Sequence, residues 1–234
     1  MTSLPIFPAG FPEPVSRYFA FALGARPVRP IRGARLEQEG SFALRPGAFK
    51  PFTAIQHYRL EPPEFVREAR IAFAPLLPIK VRDAYAGGRG QMKARLLGLV
   101  PMADLAGGGE LAAASLQRYL AELPWLPTGL LPGSGVLWTA IDARRARASL
   151  QDGEIAATVD FHFGDQGQIE RVTAVRSREV GGAMVPTPWE GRFWDYREVD
   201  GLRLPHQAEV AWLLPAGRNV YWRARIVRFE LDRG

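Results

Sequence analysis

Cysteine is absent, and with it go disulfides, thiolate metal sites and cysteine nucleophiles. Histidine is scarce: His57, His162 and His206 are the 3 in the chain, and no two share a short metal-ligand spacing. That leaves no histidine-rich metal site. Lysine is equally rare, 3 residues against 27 arginines. No apolar run approaches the roughly 18 residues that a membrane span needs. Residues 1–8 carry neither the basic start nor the apolar stretch of a secretory signal, so the expected location is the cytoplasm. No G-x-x-x-x-G-K phosphate loop occurs, and no motif calls for a cofactor.

What is present is ordinary for a globular chain: 47% hydrophobic and 23% charged over 234 residues. The net charge of +6 raises the question of nucleic acid. The arginines are scattered among acids, however, and the densest group, Arg144-Arg145-Ala146-Arg147, is too short for a basic arm. A scattered charge is not the clustered footprint that phosphate tracking requires. It fits a weak peripheral attraction to anionic lipid headgroups as well.

Residues 1–12, rich in Pro, Gly and Phe, read as an irregular lead-in. A helix follows over 14–23, with Val15, Tyr18, Phe19 and Ala22 on one stripe and Gly24 past its end. From Ala34 the period changes to two. Ala34, Leu36, Phe42 and Leu44 form an apolar face that Gln38 and Gly40 interrupt. Further alternating segments lie at 52–60, 65–73, 79–85 and 92–99. A second helix is expected over 110–123, stopped by Pro124, and then an apolar, proline-punctuated loop to Pro132. Strands resume at 136–141, 147–150, 155–163, 169–176, 192–198, 202–214 and 220–231, with tight turns at Asp152-Gly153 and Asp200-Gly201. Gly181-Gly182 lies in a longer connection. Strands and helices do not alternate one by one, which excludes βαβ winding. The expected architecture is α+β, one domain over 1–234: a curved antiparallel sheet of roughly 10–12 strands covered by two helices.

The closing run from Trp194 to Pro205, with Val210-Ala211-Trp212 after it, resembles the LolA/LolB-type fold, a curved half-barrel with helices over its concavity. Four further runs are similar to a bacterial family of unknown function, DUF6544 (also DUF6920). They are Pro12-Glu13-Pro14-Val15-Ser16-Arg17-Tyr18-Phe19, Leu96-Leu97-Gly98-Leu99-Val100-Pro101, Arg118-Tyr119-Leu120-Ala121-Glu122-Leu123-Pro124-Trp125 and Val185-Pro186-Thr187-Pro188-Trp189-Glu190-Gly191. The first resemblance implies a hydrophobic or lipid-like ligand by analogy of architecture.

The candidate residues follow from that layout. Trp125, Leu126, Trp189 and Trp194 are placed to wall a hydrophobic cavity, or else to plug the half-barrel; both readings stand. Glu122, just before Pro124, and Glu190, just after Trp189, are the candidate carboxylates. If their loops meet, desolvation raises a pKa toward acid/base use; otherwise each pairs with an arginine, Arg118 or Arg192 being near. Asp83 shares a core-facing strand face with Tyr85 and needs a partner, such as Arg95 or the Tyr85 hydroxyl. Asp160 and His162 share the solvated face of their strand, with no serine in register for a triad. Three functions remain open. The leading one is non-enzymatic binding of a hydrophobic or lipid-like molecule by Trp125, Leu126, Trp189, Trp194, Glu122, Glu190, Arg192, Asp83 and Tyr85. The others are an enzyme using Glu122 and Glu190, and a filled barrel acting through its surface.

Overall fold

The alternating N-terminal half folds as a meander: β1 (Gly33–Arg45), β2 (Ala48–Arg59), β3 (Glu64–Ala74), β4 (Leu77–Ala86), β5 (Arg89–Leu96) and β6 (Val100–Gly107). In the computed structural model residues 10–24, 31–74, 76–181 and 183–233 are described, apart from the Glu179 side chain. The lead-in is therefore largely outside them, as is Gly182. The alternation works as period-two geometry requires. On β2, Phe52, Ala54, Gln56 and Tyr58 are buried, while Thr53, Ile55 and His57 between them are exposed.

The first helix, α1 (Glu13–Leu23), buries Val15, Tyr18, Phe19 and Ala22, and begins one residue before the expected start. The second, α2 (Gly109–Glu122), is rich in Ala and Leu and ends where Pro124 removes a donor. The apolar loop after it is three short 3₁₀ turns, with Trp125, Leu126 and Leu130 buried. A second meander follows: β7 (Leu137–Asp142), β8 (Arg145–Asp152), β9 (Ile155–Phe163), β10 (Ile169–Val180), β11 (Ala183–Val199), β12 (Leu202–Leu214) and β13 (Gly217–Asp232).

All these strands form one 13-stranded antiparallel sheet, ordered β6-β5-β4-β3-β2-β1-β13-β12-β11-β10-β9-β8-β7. The two meanders join where β1 pairs with β13, from Gly33 opposite Asp232 to Phe42 opposite Trp222. The sheet is strongly curved, and one hydrogen bond proves it. Tyr85 on β4 donates to Asp152 at the end of β8 over 2.7 Å. Eight strands separate β4 from β8 in the sheet order, and a flat sheet would hold them roughly 40 Å apart. The result is a half-barrel.

The helix α2 lies inside the concavity. Gln117 donates to the Thr158 carbonyl on β9, while Arg118 reaches Asp83 on β4. Gly90 on β5 permits the approach, since a Cβ there would stand 2.7 Å from the Leu111 carbonyl oxygen. The other helix, α1, caps one end, where Arg17 donates to the Ala143 carbonyl in the β7–β8 turn.

Two departures from the expected strands have physical causes. No strand is expected over 100–107, and the segment expected at 92–99 runs past the end of β5, because its apolar run hides a turn at Leu97-Gly98, both at positive φ. β6 is also an edge strand containing Pro101, with little buried face to give alternation. β11 starts nine residues before Arg192. Pro186 and Pro188 lie where β11 pairs with β10 alone, before the β12 pairing begins at Trp189 opposite Trp212. A missing N–H is tolerated on such an open flank.

Candidate functional site

Four polar residues occupy inward positions of otherwise apolar strand faces. Gln56, Arg67 and Asp83 stand directly opposite one another across β2, β3 and β4, and Gln38 joins them from β1. All are on the concave face, where a polar group needs partners. They have them. Gln38 donates to Gln56 (3.2 Å) and accepts from Arg67 Nε (3.3 Å). From α2, Arg118 and Glu122, one helical turn apart, close the network. Arg118 Nε donates to Glu122 over 2.9 Å and its Nη1 to Asp83 over 3.0 Å. Glu122 also accepts from Gln56 (2.8 Å) and from the Tyr58 hydroxyl (2.7 Å).

Two arginines thus balance two carboxylates. Burial, with the neighbouring Arg118 charge, pulls the Arg67 guanidinium down to about 10. Burial acts against Arg118 too, but Glu122 and Asp83 outweigh it and hold that guanidinium above its ordinary value. Burial and the Glu122 carboxylate push the Tyr58 phenol well up. A network this complete ties α2 to the sheet and orients its groups.

Beside it lies a cavity of about 210 Å³. One wall is polar, with Arg67, Asp83, Arg118 and Glu122; the other is mainly aromatic, with Phe42, Trp125, Trp189, Phe193, Tyr221 and Trp222, and also carries Arg176 and Glu209. A β-bulge contributes to this wall. Between Val210–Trp222 and Ala211–Val220, β13 holds one extra residue, Tyr221, so that Tyr221 and Trp222 both face inward. Trp189 Nε1 donates to the Tyr221 hydroxyl over 2.9 Å, and Trp212 stacks on the Tyr221 ring. Trp125 packs edge-on against Phe193 at 5.7 Å, its own Nε1 buried without an acceptor. Arg176 of β10 lies over Trp189 at 4.9 Å and donates to the Ala114 carbonyl. Two hollows of about 800 Å³ elsewhere are more open; one mixes charged side chains such as Glu68, Arg70, Lys80 and Arg82 with Ile55, Val81 and Val227, and the other is lined by charged side chains such as Asp142, Arg144 and Arg145.

Of the residues expected from sequence, Trp125, Trp189, Glu122 and Asp83 meet at this cavity. The others do not. Leu126 is buried in the core. Tyr85 donates to Asp152, not to Asp83, and Asp83 holds Arg118 and Arg67 rather than Arg95. The convergence of Glu122 with Glu190 is corrected: the strand period that turns Trp189, Gly191 and Phe193 inward turns Glu190, Arg192 and Trp194 to the convex face. There Glu190 is buried beneath Arg171 (3.3 Å), Arg192 (2.7 Å) and Arg218 (2.7 Å). Burial pushes its carboxyl up, but the hydrogen bonds from Arg218 and Arg192 outweigh this and hold it low. Trp194 is 40% exposed.

Gln56, Arg67 and Arg176 escaped the sequence reading, and Gln38 entered it only as an interruption of an apolar face; polar residues at inward parity were the available signal. Among the described residues no cluster of three or more His, Asp or Glu is placed to hold a metal ion, and no helix is long and apolar enough to cross a membrane.

Among solved structures, a LolA superfamily protein from Nitrosomonas europaea is similar at 8% identity and a TM-score of 0.46, covering 94% of this chain and 92% of that one. A β-barrel-like protein of the domain of unknown function DUF1849 from Brucella abortus is similar at 11% identity and a TM-score of 0.29, covering 87% and 99%. A search of the curated proteins gave no match. A family model matches residues 9–230, nearly the whole half-barrel together with α1 and α2, and the chain belongs to that family of unknown function, DUF6920.

Proposed function

We propose that the protein binds a small hydrophobic or amphipathic molecule in the concavity of its sheet, without catalysing a reaction on it. The observation that supports this most is the cavity of about 210 Å³, with six aromatic side chains on one side and a polar network on the other. Binding sites combine apolar walls with a few fixed polar groups in this way. The cavity is small. An engineered cavity of about 150 Å³ holds benzene, so the occupant is a compact body of roughly eight non-hydrogen atoms, or one part of a longer molecule. The rest of the concavity is filled by α2 and the loop after it, with Leu116, Leu120, Leu123 and Leu126 fully buried.

The polar network favours a holding role over an acid/base one. Glu122 accepts three hydrogen bonds and Asp83 contacts two arginines, so each carboxylate is already engaged.

The test is native mass spectrometry on protein purified without detergent, with titration of small aromatic and aliphatic probes followed by tryptophan fluorescence. Ala208, buried at the cavity wall, supplies the control. Ala208→Leu fills the space at an expected stability cost of about 1–3 kcal/mol and should abolish probe binding while the fold persists. Probes that bind wild type and Ala208→Leu alike would refute the concavity as the site.

A further inference from the structure

Counting charge around the cavity leaves one cation over. The Arg67 and Arg118 guanidinia are matched by the Asp83 and Glu122 carboxylates. Glu209 also borders the cavity, but its carboxylate is taken by Arg218 (2.7 Å) and Arg223 (3.1 Å). Arg176 remains. Among the described residues no carboxylate lies within ion-pair distance of it; its contacts are one carbonyl, that of Ala114 at 3.0 Å, and the face of Trp189. A guanidinium has five N–H donors; Arg176 is half-buried, and a charge partly withdrawn from water without a counter-ion is costly. Arg178, two residues on and on the same face of β10, repeats the arrangement over Trp212 at 5.9 Å, with its Nε buried and unpartnered.

From this juxtaposition, an unmatched Arg176 fixed over Trp189 at the wall of an aromatic cavity, we infer that the ligand is a monoanionic amphiphile, its carboxylate seated on Arg176 and its apolar body among Trp125, Phe193 and Trp222. The inference rests on the binding role proposed above and names the chemical class of the ligand. The planar guanidinium fork matches a carboxylate in bidentate geometry. Stacking on Trp189 and the bond to Ala114 hold the fork in place before the ligand arrives, so little ordering remains to be done on binding. The polar network on the opposite wall contributes no net charge and so does not compete for the anion. Burial lowers the Arg176 guanidinium below its ordinary value, although Tyr221, Glu122 and Asp83 act in the other direction.

The experiment compares two probes with one apolar body, 3-phenylpropionate and 3-phenyl-1-propanol, by calorimetry and tryptophan fluorescence on wild type, Arg176→Gln and Arg176→Lys. The carboxylate should bind wild type about 10- to 100-fold more tightly than the alcohol, the range of one charge-assisted hydrogen-bonded pair. Arg176→Gln should erase that preference by weakening carboxylate binding far more than alcohol binding, while Arg176→Lys should restore part of it. Circular dichroism of each variant establishes that the fold is kept. If Arg176→Gln does not fold, the Arg176→Lys comparison decides, since it keeps the charge but loses the fork. Equal affinity for the two probes in wild type overturns the anion assignment and spares the cavity. Failure of both probes to bind overturns the cavity reading and the assignment with it.

Discussion

Leu97 sits at φ 55° in the β5–β6 turn, followed by Gly98 at φ 76°. Two consecutive positive φ values define the hairpin turn that favours Asn-Gly, and a leucine there costs about 1–2 kcal/mol. Leu97→Asn retains the N–H that bonds the Pro78 carbonyl. It should raise stability by about 1 kcal/mol, or roughly 2–4 °C in melting temperature for a chain of this size, measured by thermal unfolding. His162, half-buried, is held neutral by burial and by the adjacent Arg171, which lower its pKa to about 4. The unfolded imidazole takes up its proton near 6.5. Between those values the unfolded chain binds more protons, so stability falls as pH drops from 6.5 to 4. Allowing for solvent screening of a half-exposed group, the loss is about 1–2 kcal/mol. Urea titrations at pH 7 and pH 4.5 measure it, and His162→Gln should flatten the dependence. Arg118→Met leaves Glu122 with Gln56 and Tyr58 but no cation, and Asp83 with Arg67 alone; it should cost about 3–5 kcal/mol in urea unfolding, a large part of the total for a single domain.

Among the elements, α2 decides the shape of the site, because it lies between strands that the sheet order separates widely. One contact closing the curve is that of the Tyr85 hydroxyl on the Asp152 carboxylate. Tyr85→Phe should cost about 1.5–3 kcal/mol and speed amide exchange at the facing ends of β4 and β8; unchanged exchange would show that α2 alone sets the curvature. The elements were legible in sequence where one face is buried. The stripe of α1, the start and stop of α2 and the alternation of β2 all follow from period and punctuation. Legibility failed where a strand has no buried face, as at β6, and where prolines sit on an open flank, as at Pro186 and Pro188. The site was half legible. The tryptophans and Glu122 stood out by type, but inward Gln56, Arg67 and Arg176 looked like ordinary surface polarity until register placed them. The expected Asp152-Gly153 turn shows the same limit: the turn residues are Gly153-Glu154, while the Asp152 side chain spans the concavity.

The molecule as a whole is two meanders sharing one seam, and the site draws on both. Gln38, Gln56, Arg67 and Asp83 come from the first; Arg176, Trp189, Phe193, Tyr221 and Trp222 come from the second. A chain ending at Ala216 would lack β13 and leave β1 and β12 with open flanks. It should lose the cavity and associate, which size-exclusion chromatography with light scattering would detect; a monomer with native tryptophan fluorescence would contradict the shared-seam reading.

The pairing of β1 with β13 also sets a clock. β1 is complete at Arg45, but its partner runs from Gly217 to Asp232. At about 5–20 residues per second, one side of β1 waits roughly ten to forty seconds on the ribosome with its backbone groups unpaired, a template for a neighbouring chain. The convex positions of that strand are Arg35, Glu37 and Glu39, and in the finished protein Arg35 meets Glu37 and Glu230 while Glu39 meets Arg225. In the nascent chain the same charges guard an edge that stays open until β13 is made.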